Sequence, residues 1–311
     1  MVLIFAAPLC AEDYGLEVIG LEPLFAGGIQ PFFGTNHSLS FSRQRGSRRA
    51  HNDDFEYDFA HRATAGLHYG LPRDIPGDLT LSFFAPLVYR DFRVRTGYGV
   101  VGDQVGGLGD LGLFMRGRYL WFVPGDGTER SISLSASVGV ELPTGASGLE
   151  RDGIRIPREL QPGRGAASLT FAHIALFGLG KLGYGGRLDL ASVTLVRHNS
   201  VGVGGDGYDF GDVFRQEFVF KLRVIQEKPY PGNTMFVGAG LIYEAQGADR
   251  DNGRTAHDTG WRQIAIKPWF SWHPRPQDII QVEAEIALWR DVNGSQLVEG
   301  VSFFVSYGRR F

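Results

Sequence analysis

The feature that most restricts what this chain can fold into is a two-residue alternation, repeated along its length, in which the two faces differ in kind. In segment 131–142, Ile132, Leu134, Ala136, Val138, Val140 and Leu142 share one face, and Ser131, Ser133, Ser135, Ser137, Gly139 and Glu141 share the other. Period two belongs to the β-strand, because successive side chains point to opposite sides of the pleat. In 278–290, Ile280, Val282, Ala284, Ile286 and Leu288 oppose Gln281, Glu283 and Glu285. In 109–122, Leu111, Leu113, Met115, Tyr119 and Trp121 oppose Arg116 and Arg118. The last segment puts Val301, Phe303, Val305, Tyr307 and Phe311 on one face.

The alternation predicts twelve strands, at 36–45, 58–70, 78–92, 109–122, 131–142, 165–178, 182–197, 210–226, 234–246, 259–273, 278–291 and 297–311. The connections between them alternate in length. Those at 71–78, 123–130, around Gly180, 227–233 and 273–277 are short and rich in Gly or Pro, whereas 143–164 and 247–258 are long and charged. Short turns at one end and long loops at the other are the topology of an antiparallel transmembrane barrel with an even strand number. A soluble sandwich, the competing all-β architecture, has no reason to produce that order. Tyr69, Tyr119, Trp121, Tyr184, Phe270, Trp272 and Tyr307 fall on apolar faces near the short-turn end, where an aromatic girdle is expected. The expected fold is therefore all-β, a closed antiparallel transmembrane β-barrel of about twelve strands.

Bulk composition agrees by its ordinariness. Hydrophobic residues make up 43% and the mean hydropathy is -0.10, as for a soluble protein. A barrel that alternates lipid-facing and lumen-facing residues averages to the same value. No run of 18 apolar residues exists, so a helical span is excluded. The formal net charge of -3 is too small to suggest a nucleic-acid partner. Cys10 is the single cysteine, so no disulfide forms within one chain.

Three parts are expected along the chain. Residues 1–11, MVLIFAAPLCA, read as the remnant of a signal peptide cleaved after Ala11. Residues 12–35, rich in Pro and Gly, read as a periplasmic or lumen-inserted segment, and 36–311 as the barrel. By parity, the lumen is lined by Arg116 and Arg118, by Arg187 and Asp189, by Arg215, Glu217, Lys221 and Arg223, and by Lys267, Glu283 and Glu285. Those charges either pair and plug the lumen or line a narrow aqueous path. The loop 143–164, with Glu150, Arg151, Asp152, Arg155, Arg158 and Arg164, is placed to fold inward and narrow such a path.

Several stretches resemble the bacterial outer-membrane "transporter" family named for the MetA pathway of phenol degradation. They are GGLGDLGLFMRGRYL at 106–120, VELPTG at 140–145, LQPGRGAASLTFAHIAL at 160–176 and the closing ALWRDVNGSQLVEGVSFFVSYGRRF. The resemblance spans about two thirds of the chain. It implies a barrel in the bacterial outer membrane, porin-like, passing small hydrophobic or aromatic compounds, with no catalytic residues to carry over. The terminal Phe311 resembles the end signal read by the barrel-assembly machinery. The partners this implies are that machinery and the lipid and lipopolysaccharide of the outer membrane.

Other chemistries were weighed against this. Eight histidines are present and none pairs at helical or finger spacing; His61 and His68 fall on opposite strand faces. No metal site, cofactor or catalytic residue is therefore expected. Asp249, Asp251 and Asp258 read as a solvated loop rather than a calcium site. GVGGDG at 202–207 lacks the strand-turn-helix context of a nucleotide site. His198 and Ser200 share a strand face near the long-loop end and would suit a lipid-modifying hydrolase, but the sequence offers no third partner. A channel is thus the first expectation, with a lipid hydrolase or a closed structural barrel as alternatives.

Overall fold

The computed structural model describes residues 26–52, 55–72, 78–96, 99–124, 130–151, 153–156, 158–182, 186–199, 207–225, 233–275 and 277–311. The segments expected to be a signal remnant (1–11) and most of a lead-in (12–25) lie outside them. The principal strands are β1 (Ile29–Gly46), β2 (Tyr57–Gly70), β3 (Asp78–Thr96), β4 (Gly99–Leu108), β5 (Leu111–Phe122) and β6 (Ser131–Leu142). They continue with β7 (Ser168–Leu182), β8 (Gly186–Asn199), β9 (Val213–Ile225), β10 (Thr234–Gln246), β11 (Trp261–His273) and β12 (Asp278–Arg309).

All are antiparallel to their neighbours. The ring runs β12, β11, β10, β9, β8, β7, β6, β5, β3, β2, β1 and back to β12, while β4 pairs only with the far part of β3. β12 supplies two arms. A straight strand of its 32 residues would run on the order of 100 Å. Instead Ile280–Val292 pairs with β11, and the later residues up to Gly308 pair with β1. The reversal lies at Asn293–Gly294, where Gly294 has a φ of 73°, and Tyr307 reaches back to bond Asp278 at 2.8 Å. Eleven strand elements thus give twelve crossings, and the C-terminal Phe311 bonds Ile29 in both directions at the seam. A closed ring satisfies every strand edge, as a membrane requires.

Burial is inverted relative to a soluble protein. On β6 the serines, Gly139 and Glu141 are buried, while the apolar alternates face out. Leu87 (59% exposed), Phe220 (56%) and Leu288 (61%) stand outward, whereas Arg215, Glu217 and Lys267 are fully buried. So wide an apolar exterior, around the whole ring, is a lipid-facing surface. Most of the aromatic girdle is where expected: Tyr69, Tyr119, Trp272 and Tyr307 are exposed at the short-turn end and Phe270 is half-buried, whereas a bulge sets the exposed Trp121 opposite the inward Ser133, and Tyr184 lies outside the described residues.

Glycine has a specific use on the inward face. Aromatic rings pack against glycines of the next strand: Phe32 against Gly66, Phe114 against Gly139, Trp269 against Gly238. A Cβ on any of these glycines would meet the ring. The exchange covers backbone that glycine leaves bare and lets large rings fit inside a narrow barrel.

Two expectations are corrected. β1 starts at Ile29, so residues 29–35 are strand and not lead-in, because Phe33 and Thr35 continue the outward face already begun at Ile29. The stretch 93–108 is not a plain connection. β3 runs on to Thr96 and β4 folds back on it as a hairpin, its Gly-rich sequence having too weak an alternation to read in advance.

Candidate functional site

The barrel interior holds three arrangements. The first is a charged network on β9 to β12. Arg215 Nη1 donates to Glu244 Oε2 at 2.9 Å, and its Nη2 to Glu285 at 3.0 Å and Glu217 at 3.3 Å. Lys267 ion-pairs with Glu217 and, at 3.6 Å, with Glu283. The amide of Gln263 donates to Glu244 (3.3 Å) and Glu285 (3.1 Å), and its carbonyl accepts from Arg290 at 2.9 Å. Period-two geometry puts these groups on one face, and the pairing register brings them level: Arg215 is opposite Glu244, and Glu244 is opposite Gln263. A guanidinium offers its donors in a planar fork, which suits bridging several carboxylates.

The second arrangement is apolar. Phe84, Phe114, Ile174, Val193, Phe236 and Trp269 are buried in one cluster on the inward face, with Phe32 packed against them. Phe32 stacks on His68 with centroids 4.9 Å apart, and His68 bonds Ser82 at 2.7 Å. Lys221 places its ammonium 3.9 Å from the centre of the Phe236 ring.

The third covers the long-loop end. Ile156 and Leu160 of loop 143–164 are buried against Phe92 and Val105 of the β3–β4 hairpin. Asp110 holds both ends of this loop, accepting from Gly145 N–H and Arg164 N–H at 2.8 Å each. Inside the loop, Gln161 accepts from Leu149 N–H at 3.1 Å and donates to the Ile156 carbonyl at 2.7 Å. Arg164 then bonds Asn199 at 3.0 Å and lies over Phe210, and Arg158 lies over Tyr208. The loop is thus folded inward and pinned to the segment that precedes β9.

The residues named from sequence are located as follows. Arg215, Glu217, Lys267, Glu283 and Glu285 meet in the charged network. Lys221, Arg223 and Arg116 are buried on the inward face. Asp189 is buried and accepts from Arg187 at 2.6 Å, near the short-turn end. Arg118 is opposite the buried Ser135 near the short-turn end, where it pairs with Asp78 and lies 4.4 Å from the Trp121 ring centre; the bulge between Arg118 and Leu120 comes after it. Phe311 is exposed at the seam. Sequence reasoning missed Glu244, Gln263 and Arg290, and the inward aromatics. Parity with Arg215 and Glu285 was the available signal; the register that makes them touch was not.

The remaining candidates resolve individually. Asp249 is buried and accepts from Tyr208 O–H and Gly211 N–H at 2.7 and 2.8 Å, and Asp258 accepts from Ser295 N–H at 2.7 Å. They serve as loop staples. Among the described residues no group of three or more His, Cys, Asp or Glu side chains is placed to hold a metal ion. The third partner that His198 lacked in the sequence is Asp212, whose carboxylate meets His198 Nδ1 at 3.0 Å and accepts from Asn199 N–H. Ser200 lies outside the described residues.

The fold is similar to that of an outer-membrane channel from Pseudomonas putida F1, at a TM-score of 0.66 and 17% identity, covering 94% of this chain and 98% of that one. It is also similar to the β domain of the Bordetella autotransporter BrkA, at a TM-score of 0.52 and 14% identity, covering 92% and 100%. No family model and no curated protein matches the chain. The chain has the fold of an outer-membrane β-barrel. Its narrower resemblance to the phenol-degradation family rests on the quoted sequence stretches alone.

Proposed function

We propose that this protein is a gated channel of the bacterial outer membrane for small compounds, hydrophobic or aromatic ones among them. The observation that carries the reading is the interior itself, where an aromatic cluster lies beside a charged network under an inward-folded loop. A barrel of purely structural role has no need of a loop tied into its mouth by one buried carboxylate. Apolar rings next to polar groups suit solutes with a flat apolar body and few polar atoms. In the state described, the loop is closed and the charges are paired, so passage requires the loop to leave the mouth. The likeness to an outer-membrane channel supports the barrel and is consistent with transport.

The test is conductance in a planar bilayer. Wild-type protein should show discrete openings, and Asp110→Ala, which removes one bond from each end of the loop, should raise the fraction of time spent open severalfold. Equal and negligible conductance from both proteins would defeat the proposal.

A second reading is favoured by one contact. Asp212 orients the exposed His198 as an acid orients a catalytic base, and Ser200 follows two residues later in the sequence. An outer-membrane lipid hydrolase would then use Ser200 as nucleophile. Measurable phospholipid hydrolysis that disappears in Ser200→Ala would establish it; no hydrolysis by folded wild-type protein would dismiss it.

A further inference from the structure

The outer wall carries a polar pair that neither the channel reading nor the hydrolase reading uses. His37 on β1 and His61 on β2 are directly opposite each other in the ladder. Both lie on the outward face, His37 beside Phe303 and His61 beside Tyr89. Their Nδ1 atoms are 3.0 Å apart, with ring centroids at 4.4 Å and planes inclined by 45°. They are 24 residues apart in sequence, which is why no spacing rule finds them.

The two Nδ1 atoms are within hydrogen-bond distance, so one donates to the other in the metal-free pair. A shift of that proton to Nε2 leaves both Nδ1 lone pairs free, side by side, for a shared ligand. Two imidazole nitrogens bound cis to one metal ion at bonds of about 2.0–2.1 Å, with an angle near 90°, stand about 3 Å apart. The backbone register already supplies that bite, so little ordering of the side chains remains to be done on binding.

The level on the barrel matters too, since a dication is not held in hydrocarbon. One residue pair further towards the long-loop end, Phe59 is opposite Asp91. Asp91 accepts from Tyr57 O–H at 2.9 Å and from Gln104 at 3.2 Å. Taking that polar band as the membrane-water boundary puts the histidines one outward-facing pair beneath it, within reach of water.

The geometry points to a surface site for one borderline transition-metal ion, Cu2+ first and Ni2+ or Zn2+ after it, held by His37 Nδ1 and His61 Nδ1 with water in the remaining positions. The site opens outward and is separate from the lumen, so it stands or falls independently of transport.

Cu2+ titration of the detergent-folded full chain, free of affinity tags, in a non-coordinating buffer tests this. Electron paramagnetic resonance of the 1:1 complex should show superhyperfine splitting from two nitrogens. His37→Asn and His61→Asn should each weaken binding at least tenfold and leave one nitrogen. His173→Asn should change nothing, since His173 is also on the outer wall but is bonded to Tyr119 at 2.6 Å. The two-nitrogen spectrum of wild-type protein needs no variant, so a variant that fails to fold leaves the test intact. No binding at micromolar Cu2+, or binding that survives both substitutions unchanged, overturns the site.

Discussion

Replacing Arg215 by Met asks whether the interior is filled or wet. In the structure Arg215 is fully buried and bonds three carboxylates, at 2.9, 3.0 and 3.3 Å. Once it is gone, Glu217 keeps Lys267, while Glu244 and Glu285 lose their guanidinium bonds and share the Gln263 amide. Breaking a buried pair in this way costs on the order of 3–5 kcal/mol, because the abandoned charges have no water. The combined change Arg215→Met, Glu244→Gln and Glu285→Gln removes the charges together and should recover about half of the loss, a coupling of roughly 1–3 kcal/mol. The exposed pair of Arg262 and Asp291, at 2.9 Å, is the control; Arg262→Met should cost about 0–1 kcal/mol. Urea unfolding of vesicle-inserted protein, followed by tryptophan fluorescence and by the mobility of unheated gel samples, measures all three. If Arg215→Met costs no more than Arg262→Met, bulk water reaches the network and the filled interior is wrong.

Other outcomes are also expected. Ala284→Arg, on the lipid face between Val282 and Ile286, should destabilise by about 2–4 kcal/mol in the same assay, and a cost indistinguishable from that of Gln277→Arg at the short-turn rim would contradict its placement facing lipid. Gly139→Val should prevent folding to the heat-modifiable form, since its Cβ would stand inside the Phe114 ring; the double change Gly139→Val with Phe114→Ala should restore it. Phe114→Ala alone should cost about 3–5 kcal/mol and raise the conductance of whatever openings occur; unchanged conductance would remove the aromatic cluster from the permeation path. Unheated samples of wild-type protein from the outer-membrane fraction should migrate differently from boiled ones, and recovery as a soluble monomer would sink the barrel.

The fold was legible because one property, the parity of a strand, decides both secondary structure and sidedness. Once Ser131 to Leu142 is read with period two, Glu283, Glu285 and Lys267 fall on the inward face by the same rule. What parity does not carry is register. Whether Arg215 meets Glu244 depends on how β9 slides against β10, and the pairing of His37 with His61 depends on β1 against β2. Bulges break the rule locally: a single irregularity after Arg118 sets Trp121 opposite Ser133, so Leu120 and Phe122 take the face that alternation gave to Trp121. The anchoring role of Asp110 was hidden for a different reason. It is one acidic residue among many in the sequence, and only the return of the loop to its carboxylate, 35 and 54 residues later, gives it meaning.

Single-channel recording in planar bilayers, comparing wild-type protein with Asp110→Ala and with the double change Glu283→Gln and Glu285→Gln, tests the central claim most directly. Discrete openings are expected from the wild type and a severalfold higher open fraction from Asp110→Ala; in the open state, which would have to admit water to the network that is closed and paired here, the loss of the two glutamate charges should shift ion preference towards anions. Silent membranes from all three proteins, each shown to be folded by its gel mobility, would contradict the claim that this barrel is a channel.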